Sequence, residues 1–237
     1  MGSARLPGKV MFDLCGHSVL AHVVRRIQAA QGIGTVVVAT TTLAADDAVA
    51  AEAERCGARV YRGSEHDVLS RYYEAGRREG ADVVVRITAD CPLIDPELVG
   101  TMVARFVALK ERNRVDYLSN TLERSFPRGL DAEVFSMAAL ERAWREAASA
   151  AEREHVTPYL YQHPELFRVE SYVDAADRSG LRLTLDTAED WAVIHGVVEA
   201  LGGGSRIVSR REVAQFLERH PEIAALNAAV EQKALGA

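Results

Sequence analysis

The sequence predicts an α/β fold in which helices cover both faces of a mostly parallel sheet, and three observations predict it. From Ser18 onward, segments of helical period alternate with short apolar runs. Two of those runs, "TVVVATT" and "DVVVRIT", are continuous and β-branched, as strands covered on both faces are. The helical segments also open on Ser, Thr or Asp and several close on Gly. At 237 residues and 48% hydrophobic composition the chain can bury a substantial core. A single domain over 1–237 is expected, with an inserted subregion at 116–174 and C-terminal helices over 205–237.

Each element has its own warrant. "SVLAHVVRRIQAAQG" sets Leu20, Val23, Val24 and Ile27 on one helical face and stops at Gly32. "TVVVATT" is the first buried strand. "DDAVAAEAERCG" is a helix that is acidic at its start and closed by Gly57, and "ARVYR" is a short strand. Ser64 with Asp67 resembles a capping box opening "EHDVLSRYYEAGRREG". "DVVVRIT" is the next strand, and Asp95 with Pro96 opens a helix on Leu98, Met102 and Phe106.

The middle changes character. "DYLSN", an irregular "TLERSFPRG" and "LDAEVFS" precede the helices "MAALERAWREAAS" and "AEREHVTPYLYQ". "FRVESYV" and "LRLTLD" alternate apolar and polar residues, which predicts half-exposed strands. Thr187 and Asp190 form a second capping-box pattern, Ser209 and Glu212 a third, and "GGG" at 202–204 marks a turn.

Composition excludes several classes. A net charge of -6 gives no reason to expect nucleic acid. No segment has the length and apolarity of a membrane span or the pattern of a signal peptide. Cys15, Cys56 and Cys91 are odd in number and lack metal-ligand spacing, so a reduced, cytoplasmic chain is expected.

The chemistry-bearing residues gather at loops. "MGSARLPGK" has the composition of a phosphate-holding loop, with Gly residues for close backbone approach and Arg5 and Lys9 for charge. Such loops leave the end of a buried strand, so about 5–8 apolar residues of a central strand are expected upstream of Met1. Asp90 follows the strand "DVVVRIT", where open α/β sheets bind ligands. A carboxylate there suits Mg²⁺, while capping of the next turn is the competing role. Asp186 ends "LRLTLD" and is the second metal candidate, whereas Asp190 is assigned to helix initiation. Two such carboxylates would hold a metal against a polyphosphate, with Arg5 and Lys9 on the far side. Gly129 permits a close approach beside Arg128, and Arg124, Asp131 and Glu133 crowd the same segment. Cys91 reads as a packed residue, and His155 as either a base or a packed histidine.

Taken in order, "MGSARLPGKVM", "VVVATT", "YRGSEHDVLSRYYEA", "VRITADCPLIDPELV", "DYLSN", "FPRGLDAEVF", "REHVTPYLY" and "LTLDTAED" resemble the cytidylyltransferase-like family of the spore-coat-polysaccharide type. These are relatives of acylneuraminate and 3-deoxy-manno-octulosonate cytidylyltransferases. The resemblance implies a three-layer nucleotide-diphosphosugar-transferase fold, Rossmann-like, with a mixed, mostly parallel sheet. It implies Mg²⁺-dependent transfer of CMP from CTP to a sugar acid, in surface-polysaccharide or glycan synthesis. Gly2, Ser3, Arg5 and Lys9 then belong to the triphosphate loop. Ala39, Thr40, Arg62 and Gly63 approach the nucleotide base and ribose, and Asp90 and Asp186 bind the metal. Arg128, Glu133 and the run Arg153-Glu154-His155 face the sugar, in a subregion that also offers a contact for a homodimer. Two other readings stay open: a glycosyltransferase using a nucleotide sugar, and a non-catalytic nucleotide- or sugar-binding protein.

Overall fold

The computed structural model describes residues 5–232. A 3-10 turn at Lys9–Met11 leads into a small hairpin, β1 (Asp13–Leu14) and β2 (His17–Ser18). Ser18 then caps α1 (Val19–Gln28), accepting from the Ala21 amide at 3.0 Å. Leu20, Val23, Val24 and Ile27 are buried, as their spacing predicts. Next come β3 (Val37–Thr41), α2 (Asp47–Arg55) and β4 (Arg59–Gly63), and β4 pairs parallel with β3.

The following helix, α3 (Val68–Glu79), starts later than its sequence pattern suggested. Asp67 itself is the cap, accepting from the Ser70 amide at 2.8 Å, while Ser64 accepts from the Asp67 amide one turn earlier. Strand β5 (Val83–Arg86) is followed by α4 (Pro96–Glu111), where Asp95 caps and Pro96 opens the first turn as expected. Leu98, Met102 and Phe106 are buried along α4.

The subregion 116–174 extends the sheet of β5. It supplies β6 (Tyr117–Ser119), β7 (Glu133–Ser136), α5 (Met137–Glu146), α6 (Ala150–His155), α7 (Pro158–Gln162) and β8 (Val169–Ser171). The strand order is β5-β7-β6-β8: β7 runs antiparallel to both β5 and β6, and β8 runs parallel to β6. The fold is therefore α/β with a mixed sheet. The pair β3–β4 stands as a separate parallel ladder.

Two sequence expectations are corrected. "AEREHVTPYLYQ" is two helices, because the chain breaks at Val156, whose φ of 75° and ψ of -55° no α-helix contains. "LRLTLD" makes no regular strand. Leu181, Leu183 and Leu185 bond instead to loop backbone at Arg128 and Asp90, and Arg182, Leu183, Thr184 and Leu185 are all buried. Its alternation therefore separates an apolar core side from a polar side that is bonded within the protein, with little of it in water.

Helix α8 (Ala188–Ala200) opens on the complete Thr187–Asp190 capping box. Helices α9 (Arg210–Arg219), opened by the Ser209–Glu212 box, and α10 (Pro221–Ala224) complete the chain. The larger core lies under α1, α4, α8 and α9, with Phe106, Met102, Ile94 and Ile194 at its centre. The second lies among α3, α5 and α7, around Tyr117, Phe135 and Leu140. Tyr117 and Leu118 of β6 point into different cores, as the period-two pleat requires. Among the described residues no helix is long and apolar enough to cross a membrane.

Candidate active site

Three loop segments converge. The first is the N-terminal turn, anchored by Val10 and Met11 against one small cluster and by Phe12 edge-on to Trp191 at 5.5 Å. Gly8 takes the left-handed conformation (φ 71°) that lets the chain reverse into Lys9. The second is the loop after β5, and the third is the segment 181–186, tied to the second by the Leu185 amide donating to the Asp90 carbonyl at 2.8 Å.

Where they meet, the Lys9 ammonium donates to Asp90 Oδ2 at 2.8 Å and to Asp186 Oδ1 at 2.7 Å. Carboxylates from opposite halves of the chain thus share one nitrogen. Arg5 lies 3.0 Å from Asp186 Oδ2. Lys9 is only 9% exposed. Burial works to lower its pKa, but Asp90 and Asp186 outweigh burial and the net shift is upward. For Asp186, burial favours the neutral acid, yet Lys9, Arg5 and Arg182 hold its pKa below the usual carboxylate range. Thr88 Oγ1 donates to Asp90 Oδ1 at 2.6 Å and fixes that carboxylate from the other side.

This differs from the sequence reading in one respect. Arg5 and Lys9 do not face the carboxylates across a gap; they lie on them.

The other expected residues divide. Gly2 and Ser3 lie outside the described residues, as does the strand expected before Met1. Thr40 is buried and donates to Asp46 Oδ2 at 2.8 Å, while the Ala39 carbonyl accepts from Arg71 Nη1 at 3.1 Å. Gly63 packs closely, since a Cβ there would lie 2.9 Å from Arg71 Cγ. Arg62, expected near the nucleotide, is oriented by the backbone at the end of β3 and by Asp47. Its Nε and Nη2 bind the Thr41 and Leu43 carbonyls at 2.8 Å each, and Nη1 pairs with Asp47 at 2.7 Å.

Glu133 also departs from expectation, because both its oxygens are engaged inside the protein. Oε1 accepts from Tyr117 at 2.5 Å and from Thr157 at 2.6 Å, and Oε2 pairs with Arg86. It ties β5, β6, β7 and the start of α7 together. Arg153 is likewise tied, to Asp67 and to the Trp144 carbonyl.

Arg128 is different. Its backbone bridges to the 181–183 segment, but among the described residues nothing accepts a hydrogen bond from its half-buried guanidinium. Burial, with repulsion from Arg124 and Arg182, lowers its pKa. Beside it, Gly129 (φ 94°) passes so close that a Cβ would sit 2.3 Å from the Leu183 carbonyl carbon.

Sequence reasoning missed Arg182, which is 7% exposed and binds both Asp186 and Asp190. Its spacing of four and eight residues before those aspartates was a signal, masked by reading the segment as a strand. Asp190 caps α8 as expected. Cys91 is packed beneath Asp90, and burial pushes its thiol up, away from nucleophile chemistry.

Comparison with known proteins gives a consistent picture. A family model described as cytidylyltransferase matches residues 1–198. The chain is 34% identical over 94% of its length to the spore coat polysaccharide biosynthesis protein SpsF of Bacillus subtilis, covering 93% of that protein. It is 35% identical to a 3-deoxy-manno-octulosonate cytidylyltransferase of an Anaeromyxobacter species, over 68% of each chain. A solved cytidylyltransferase from Leptospira borgpetersenii superimposes with a TM-score of 0.89 at 32% identity, covering 99% of this chain and 95% of that one.

Proposed function

The chain belongs to the cytidylyltransferase family and is a nucleotidyltransferase, and from that premise we propose that it transfers CMP from CTP to a nonulosonate-like sugar acid. The observation that carries the proposal is the meeting of Asp90 and Asp186 on the Lys9 ammonium. Two carboxylates that converge on one cation form an all-oxygen donor set, which fits Mg²⁺ shared with substrate phosphates. Asp90 and Asp186 would hold that ion, which when bound neutralises phosphate charge.

The chain's own residues do the rest. Lys9 and Arg5, which lie on the aspartates, transfer their donors to the triphosphate and stabilise charge moving onto the leaving pyrophosphate. The β3 end at Ala39 and Thr40, with Gly63, borders the nucleoside. Arg128 offers its half-buried guanidinium to the carboxylate of the sugar acid, a charge-assisted contact. The sugar hydroxyl then forms an oxygen–phosphorus bond at the α-phosphate as the bond to pyrophosphate breaks, and the hydroxyl proton leaves. Alignment of the two substrates is the main contribution of such a site. Similarity to a spore coat polysaccharide protein and to cytidylyltransferases for a sugar acid supports a role in surface-polysaccharide or glycan synthesis.

The test is pyrophosphate release with Mg²⁺ from CTP, UTP or ATP, each offered 3-deoxy-manno-octulosonate and several nonulosonates. Release that requires CTP and one of the acids is expected. Sugar transfer from a nucleotide sugar with no pyrophosphate would mark a glycosyltransferase instead, and binding without turnover a non-catalytic protein.

A further inference from the structure

The family match ends at residue 198, yet residues beyond it bond to Arg182, a direct partner of the candidate metal ligand Asp186. The link is Arg182. Its Nε donates to Asp190 Oδ1 at 2.8 Å, and its Nη2 donates to Asp190 Oδ2 at 3.1 Å and to Asp186 Oδ2 at 2.7 Å. Asp190 is fully buried and also accepts the backbone amides of Asp186 and Thr187 at 2.9 and 3.1 Å. This pairing matters for charge. Arg182 shares its charge between Asp190 and Asp186, so it orients Asp186 while neutralising it only in part.

Two C-terminal side chains close the arrangement. Asn227, 3% exposed, donates through Nδ2 to Asp190 Oδ1 at 2.8 Å and to the Arg182 carbonyl at 3.0 Å. The Gln232 carbonyl oxygen Oε1 accepts from Arg182 Nη1 at 2.7 Å. The guanidinium is thereby held along its fork from Nε to Nη1. Arg5, with 29% of its side chain exposed, approaches Asp186 from the more open side, whereas Arg182 is 7% exposed and held by four hydrogen bonds.

We propose that Arg182 is a positioning residue for Asp186, and that Asn227 and Gln232, outside the family-matched region, lock it in place. The inference rests on the reading of Asp186 as a metal ligand. It makes the C-terminal segment a working part of the site.

The experiment measures Mn²⁺ binding by electron paramagnetic resonance in the presence of CTP and without a sugar acid. The full-length wild type is compared with Asp186→Asn, Asn227→Ala and Gln232→Ala, and each melting temperature is recorded. Asn227→Ala should weaken Mn²⁺ binding about tenfold, the low end of what loss of an outer partner costs. Gln232→Ala, on an exposed residue, should weaken binding by less while leaving the melting temperature unchanged. If Asp186→Asn binds Mn²⁺ like the wild type, the metal reading fails and this inference with it. If Asp186→Asn loses binding but both tail variants keep it, the lock is wrong and the metal reading stands. A loss in Asn227→Ala that only follows its melting temperature, with Gln232→Ala unaffected, would also overturn the lock.

Discussion

Lys9 holds two carboxylates through one ammonium, largely out of water, and its removal has consequences for both stability and binding. Removing one partner of a fully buried ion pair costs about 3–5 kcal/mol. The Asp90 side chain is 23% exposed, so about 2 kcal/mol is expected for Lys9→Ala in urea unfolding. Triphosphate affinity should fall in the same variant. The pH dependence follows from the two shifts. Asp186 is depressed, so its contribution is present above its ordinary value near 3.8 and is lost as pH falls through the folded value. Lys9 is raised from 10.5, so its contribution is complete below that and is lost as pH climbs through the folded value. The stability difference between wild type and Lys9→Ala should therefore be flat from about pH 5 to 10. A difference that changes around pH 7 would contradict the assignment. At Gly129, a Cβ would sit 2.3 Å from the Leu183 carbonyl carbon, so Gly129→Ala should move the Arg128 loop or unfold it. A variant with wild-type melting temperature and turnover would argue against that contact.

The segment joining α6 to α7 shows what an element boundary can store. Val156 is completely buried with φ at 75°, and the Thr157 amide donates across it to the His155 carbonyl at 2.9 Å, which makes a γ-turn. A β-branched residue in that conformation carries strain of about 1–3 kcal/mol. The strain is held by Thr157, which is bonded to buried Glu133. Glycine would relieve the strain while losing the packing of a buried valine, about 1.5–3 kcal/mol. Alanine loses most of that packing and keeps the strain. Val156→Gly should therefore be at least as stable as Val156→Ala by denaturant unfolding, reversing the usual order for these residues. The sequence could not announce this turn, because "EREHVTPYLY" reads as continuous helix until the Glu133 network is known. Helix starts were more legible. Asp95, Thr187 and Ser209 cap where their patterns say, since a cap is a local interaction. "LRLTLD" misled because its partners are loops distant in sequence.

At the scale of the whole molecule, the sheet and three converging loops bring together residues that the sequence presents as unrelated acidic and basic positions. That Asp90 and Asp186 come together, as they do on Lys9, was legible, because each follows a strand-like run and precedes a helix cap at the same end of an α/β sheet. Arg182 and the Glu133 network were not, because their meaning depends on closure. Arg86 comes from β5, Tyr117 from β6 and Thr157 from the start of α7, and only the folded chain sets them around one carboxylate. The central claim is that Asp90 and Asp186 act together as one catalytic site. The most direct test is a double-mutant cycle on pyrophosphate release from CTP, with Asp90→Asn, Asp186→Asn and the double variant. Groups that work as a unit are strongly non-additive, so each single change should cost nearly as much as both. Wild-type rates in either single variant, or losses that simply multiply in the double, would contradict the account.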